Sequence, residues 1–75
     1  MLELYVMDSC PYCRKVMDYL NEHNINFQKK EIGNSENHRK LLELGGVDQV
    51  PFMVDENTKM YESSDIIDYI NQNYL

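Results

Sequence analysis

Only two cysteines occur in the 75 residues, Cys10 and Cys13, and they stand three positions apart. A bond between them closes so small a loop that it hardly restrains the unfolded chain. That excludes a secreted scaffold framed by several disulfides, a usual support for a chain this short. Basic residues are scarce as well: seven Lys and Arg stand against thirteen Asp and Glu, a formal charge of −6. Lys29-Lys30 and Arg39-Lys40 are isolated doublets, so no basic cluster is available to nucleic acid or to an anionic membrane. Long apolar runs are missing too. Met1 to Met7 contains Glu3 and lacks the apolar stretch of a signal peptide, and nothing approaches the length of a transmembrane helix. A cytoplasmic address is therefore expected. In a reducing compartment, a close cysteine pair points to catalysis or metal binding rather than to a structural staple.

What is present fits one small domain over residues 1–75, and no linker, repeat or low-complexity segment interrupts it. A chain of this size buries only about 60% of the surface its unfolded form exposes, so its stability margin is modest. The acidity is uneven. Residues 1–40 balance acids against bases, whereas residues 41–75 carry seven acids and Lys59 alone.

Leu2-Glu3-Leu4-Tyr5-Val6 alternates in the manner of a half-buried strand. Asp8-Ser9-Cys10-Pro11 reads as a turn into a helix, with Ser9 or Cys10 as the cap and Pro11 at the first helical position. Val16, Met17 and Leu20 recur at helical spacing with Cys13 on the same face, and Asn24 supplies a left-handed stop. The stretch Asn26 to Ile32 alternates poorly and is expected to be an edge strand. Asn34-Ser35 opens a second helix bearing Leu41, Leu42 and Leu44, which Gly45-Gly46 ends. Phe52-Met53-Val54 and Lys59-Met60-Tyr61 form two strands about Asp55-Glu56-Asn57. Ser63 or Ser64 is expected to cap a last helix carrying Ile66, Ile67, Ile70 and Tyr74. The order is β-α-β-α-β-β-α.

The chemistry concentrates at Cys10-Pro11-Tyr12-Cys13. At a helix start, residues three apart are near enough to bond reversibly. Cys10 lies just outside the helix, where the free N–H groups of Tyr12 and Cys13 and the positive end of the dipole favour a thiolate. Arg14 and Lys15 add positive charge one turn on. Cys13, inside the helix, should keep its proton longer. Such a turn suits thiol–disulfide exchange, in which Cys10 must leave as well as attack. A zinc site would need Cys10, Cys13, His23 and His38 together, and the two histidines fall on different helices, so no metal is expected. An inert core pair is the plain alternative.

Cys-Pro-Tyr-Cys after a first strand, Val50-Pro51 before a hairpin, and Ser64-Asp65 opening the last helix resemble a dithiol glutaredoxin over the whole chain. Thioredoxin itself usually carries Trp-Cys-Gly-Pro-Cys, and this sequence has no Trp. The resemblance implies an α/β thioredoxin-like fold, a four-stranded mixed sheet flanked by three helices. It implies a cis Val50–Pro51 peptide beside Cys10, with the Val50 main chain offered to a substrate strand. It also implies that glutathione rests against Tyr12, Val50, Pro51 and the Ser63-Ser64-Asp65 shelf, where helix-end N–H groups take its carboxylate and an acid takes its ammonium.

The implied activity is glutathione-dependent reduction of protein disulfides and glutathionylated proteins. Cys10 is then the nucleophile, Cys13 the resolving thiol, and glutathione a co-substrate rather than a bound cofactor. Separately, no large apolar repeat suggests an obligate oligomer, so a monomer is expected. Some positions depart from the pattern. Tyr61-Glu62 replaces the usual Gly-Gly, and Tyr61-Glu62-Ser63 resembles instead the Glu/Gln-Ser element of the glutathione-transferase N-terminal domain. Met7 and Asp48 stand where basic residues are frequent, and Gln49 stands in place of Thr. The glycyl carboxylate of glutathione must then find another cation, with His38, Arg39 and Arg14 as candidates. Two alternatives stay open: a redoxin reduced by a flavoprotein thioredoxin reductase, and an iron–sulfur module using Cys10 with glutathione.

Overall fold

β1, Leu2–Val6, lies inside the sheet and is buried on both faces rather than half-buried, because Tyr5 as well as the three aliphatic residues meets a core. Leu2, Leu4 and Val6 enter one core cluster and Tyr5 enters another on the opposite face. In the computed structural model, which describes residues 1–75, the strand order is β2-β1-β3-β4. Here β2 is Gln28–Glu31, β3 is Phe52–Asp55 and β4 is Thr58–Met60. β2 runs parallel to β1 and pairs Val6 with Glu31; β3 runs antiparallel and pairs Leu4 with Met53. The expected thioredoxin-like fold is present, and β2 is an edge strand as its weak alternation implied.

Helix α1, Pro11–Glu22, begins with Pro11, whose fixed φ and missing N–H suit the first turn. Cys10 is its cap, and Asn24 ends the segment at φ 56°. Cys13, Val16 and Leu20 form its buried stripe. They meet Ile66 and Ile70 of α3, Ser63–Tyr74, above Leu2, Leu4, Val6 and Met53. Each fully buried aliphatic side chain contributes about 1.5–3 kcal/mol, so this layer dominates the stability.

Helix α2, Ser35–Gly45, covers the other face. Asn34 caps it by accepting from the Asn37 N–H at 3.0 Å, and Gly46 leaves it in the left-handed region at φ 81°. Of its three leucines only Leu41 is buried, against Tyr5 and Phe52; Leu42 and Leu44 stay largely exposed. The sheet offers too few apolar partners on this side to bury all three, since only alternate residues of β1 and β3 point that way.

The start of α3 also differs from expectation. Glu62, not Ser63 or Ser64, is the capping residue, and its side chain makes no capping bond. Its carbonyl closes the first turn by accepting from Ile66 N at 2.9 Å, so both serines are already helical. No helix is long and apolar enough to cross a membrane.

Candidate functional site

The two cysteines occupy contrasting environments although one turn of helix separates them. Cys10 is half-buried, and its Sγ accepts a hydrogen bond from Cys13 N at 3.3 Å. That is the ordinary geometry of a cap, whose side chain reaches the third residue of the helix. The Tyr12 N–H, expected to share the sulfur, forms no such bond. Cys10 N donates to Met7 O at 3.1 Å, which holds the incoming turn. Cys13 is completely enclosed, and burial pushes its thiol up to about 12. A main-chain hydrogen bond at Met7 works against that rise, while Cys10 and the charge of Glu31 add to it. Both thiols are free.

Beside this turn lies a cleft of about 410 Å³. Tyr12 forms one side, Val50 and Pro51 the floor, and Ser63 the start of α3. The Val50–Pro51 peptide is cis, as the resemblance implied. Val50 and Cys10 pack against the same core cluster, which ties the cleft to the Cys10 turn. The structure thus gathers Tyr12, Val50, Pro51 and Ser63. It leaves Ser64 and Asp65 outside the lining, because they follow Ser63 around the helix; Asp65 sits in the first turn of α3. Neither cysteine is part of the lining.

Three further residues line the cleft: Gln49, Tyr61 and Glu62. Tyr61 stacks on Phe52 with centroids 4.5 Å apart, donates its hydroxyl to Val47 O at 2.7 Å and accepts from Val47 N at 3.0 Å. One phenol thereby anchors the loop that leads into Pro51. Gly45 makes room for it, since a Cβ there would meet the Tyr61 hydroxyl and lie 2.7 Å from its Cζ. Gln49 donates to Glu62 Oε2 at 3.1 Å and bridges the loop to α3. The Tyr61-Glu62-Ser63 run was the available signal for this wall; the folding back of Gln49 left none.

The lining contains no Lys or Arg. His38 pairs with Asp48 at 3.0 Å, and Arg39 is held by Glu36 at 2.9 Å and by Glu43, so two of the three candidate cations have acidic partners of their own. His23 stacks against Tyr19. No group of three or more His, Cys, Asp and Glu converges as a metal site would require.

Residues 4–75 match the family described as the glutathione S-transferase N-terminal domain. Among solved structures, a glutathione S-transferase from the Antarctic clam Laternula elliptica is 30% identical, with a TM-score of 0.84 over 97% of this chain and 35% of that one. Glutathione transferase Omega 3C from Trametes versicolor is 26% identical, with a TM-score of 0.87 over 97% of this chain and 33% of that one. The thioredoxin-like protein BC3987 superposes with a TM-score of 0.84 over 96% of each chain at 19% identity, a likeness of fold alone. The chain spans about a third of the length of these two transferases. No curated protein matches it by sequence. The likeness drawn from Tyr61-Glu62-Ser63 thus falls on the matched family, while that drawn from Cys-Pro-Tyr-Cys concerns a finer division of the same fold.

Proposed function

We propose that this chain, which belongs to the glutathione S-transferase N-terminal domain family, is a glutathione-dependent thiol–disulfide oxidoreductase of glutaredoxin type acting in a reducing compartment such as the cytoplasm. The observation that carries the reading is Cys10 at the mouth of α1, its sulfur held by the Cys13 N–H beside a cleft floored by Val50 and Pro51. Cys10 Sγ sits at the N-terminal end of α1, facing the positive end of the helix dipole and accepting from the first turn through Cys13 N. Glutathione lies along the cleft as an extended strand, with its γ-glutamyl end toward Ser63 and Glu62. The helix end there accepts a carboxylate, and Glu62 pairs with an ammonium.

Cys10 attacks a disulfide or a glutathionylated protein thiol, takes the glutathionyl group and releases the protein thiolate. A second glutathione frees it, or Cys13 does so from within the helix and leaves a Cys10–Cys13 disulfide. Reduction of a glutathionylated peptide tests this. Cys10→Ser should abolish turnover and Cys13→Ser should retain it; full activity in both variants would sink the reading. A second reading, a redoxin served by a flavoprotein reductase, is favoured by the lack of Lys and Arg in the lining. Turnover with such a reductase in the absence of glutathione would select it.

A further inference from the structure

Seven residues line the cleft, and Glu62 is the only one that bears a charge. An acid at the capping position of a helix ordinarily accepts from the first turn. Glu62 makes no such bond, and its exposed carboxylate serves the loop and the cleft instead. Gln49 donates to its Oε2 at 3.1 Å and so holds the group beside the loop that leads into Pro51. Glu62 also lacks a basic partner, in contrast to Glu43, which pairs with Arg39, and Asp48, which pairs with His38. The cleft therefore combines apolar walls, Tyr12, Val50, Pro51 and Tyr61, with one negative charge and no positive one. Arg14 and Lys15, which follow Cys13 in sequence, are outside the lining.

We propose that the cleft selects polypeptide disulfides in which a lysine or arginine stands near the reacting cysteine, and that Glu62 is the specificity-determining residue that reads this base. The inference rests on the reading above, in which Cys10 attacks a disulfide held in the cleft. An extended segment lies along the Val50 main chain with its apolar side chains against Tyr12 and Tyr61. Alternate residues of such a segment face one way, so a base two positions from the cysteine shares its side. A carboxylate brought to the same place meets Glu62 and no cation. Glutathione has two carboxylates to one ammonium, whereas a basic segment brings the opposite balance. In the step, the Cys10 thiolate bonds to one sulfur of the substrate, the disulfide between the two peptide sulfurs breaks, and the other peptide leaves as its thiolate. Glu62 transfers neither proton nor electron; it favours the arrival of the positive segment.

The probes are symmetrical disulfide dimers of an otherwise neutral peptide with one cysteine, carrying Lys, Gln or Glu two positions to either side of it. Reduced protein is mixed with each dimer, quenched with acid, and its oxidation followed by mass. Each second-order rate is divided by that of the same dimer with dithiothreitol, an uncharged thiol, which removes differences in the peptides' own reactivity. The Lys dimer should react about fivefold to tenfold faster than the Gln dimer, because the bound segment displaces part of the water that weakens an exposed pair. The Glu dimer should be slowest, and added salt should narrow the spread. In Glu62→Gln, whose amide oxygen still accepts from the Gln49 side chain, the Lys-to-Gln ratio should fall to about one. Asp68→Asn makes the same change in net charge at an exposed position outside the lining and should keep the wild-type ratio. Equal rates for the three dimers, or a Lys preference that persists in Glu62→Gln, would overturn the proposal and leave the oxidoreductase reading standing. A ratio lost equally in Asp68→Asn would overturn it by assigning the preference to overall charge. No reaction with any dimer would overturn both.

Discussion

On one face of the sheet, nine buried residues interlock between α1, α3 and the strands, whereas the α2 face buries only Tyr5, Leu41 and Phe52. The cysteine turn is fixed to the first of these. Cys13 is a member of the larger cluster and Cys10 packs against it. The wall of the cleft is hung from the second, through the Phe52–Tyr61 stack and the two hydrogen bonds of Tyr61 to Val47. The difference shows how a small chain divides its resources. Under the proposed function, thiol chemistry needs a rigid, dry support for one sulfur, while a cleft that admits extended substrates tolerates a thinner one.

The largest expected effects test that division directly. A 75-residue domain has a total stability of about 4–11 kcal/mol, so a single large cavity is felt strongly. Leu20→Ala, in the deep layer, should cost about 3–5 kcal/mol, and Leu41→Ala about 2–3 because exposed neighbours can collapse into the gap. Urea unfolding of the two variants measures the contrast. Equal losses would break the comparison of the two faces.

Next in size is Gly45→Ala. The added methyl meets Tyr61 and approaches Phe52 Cε1 at 3.0 Å, so the phenol must move and release Val47. Overpacking of this kind costs about 1–3 kcal/mol. The expected signature is a lower melting temperature with raised KM for glutathione, while Cys13 stays as protected from alkylation as in the wild type. Unchanged KM alongside a lowered melting temperature would detach the Tyr61 anchor from the cleft.

These same two regions explain how much was legible in the sequence. The deep layer was readable because its signals are local and periodic: Val16, Leu20, Ile66 and Ile70 fall at helical spacing, and Pro11 and Asn24 mark the ends of α1 by backbone chemistry alone. The thin face was not. Leu42 and Leu44 lie on the helix too, but burial depends on what lies opposite, and the sheet buries only Tyr5 and Phe52 there, with Val54 partly covered. Gln49 and Glu62 became cleft residues through a long-range bond between a loop and a helix start, which no local pattern encodes.

Alkaline pH offers a smaller but two-sided comparison. The unfolded chain gives up the Cys13 proton from about pH 9, and the folded chain holds it to about 12, chiefly through burial. Tyr74, on the hairpin side, is likewise raised from 10.0 to about 12, first by burial and then by its hydrogen bond to Asp55 at 2.7 Å. A group whose folded pKa is raised contributes stability that is complete below its unfolded pKa and is lost as pH climbs to its folded one. Stability should therefore fall in two overlapping legs, one beginning near pH 9 and one near pH 10. Cys13→Ser should remove the first leg, and Tyr74→Phe should shrink the second, which Tyr5 and Tyr69 share because their phenols are raised as well, read by denaturant midpoints across the range. A stability that stays flat between pH 9 and pH 12 in the wild type would contradict both assignments.

The smallest effect is expected at Arg39, and its smallness is informative. The guanidinium joins Glu36 and Glu43 on the outer face of α2, one turn before and one turn after, and all three side chains are more than half exposed. Exposed pairs along a helix stabilise weakly, because water screens them and the long side chains lose freedom in meeting. Arg39 was also a candidate for the glycyl carboxylate of glutathione, but its donors are turned to its own helix and it has no place in the cleft lining. Arg39→Ala should thus leave the melting temperature and the KM for glutathione unchanged within error. A raised KM would mean that Arg39 abandons both glutamates when glutathione arrives. The thin face would then contribute a charge to binding as well as a wall, and the contrast between the two faces would have to be redrawn around it.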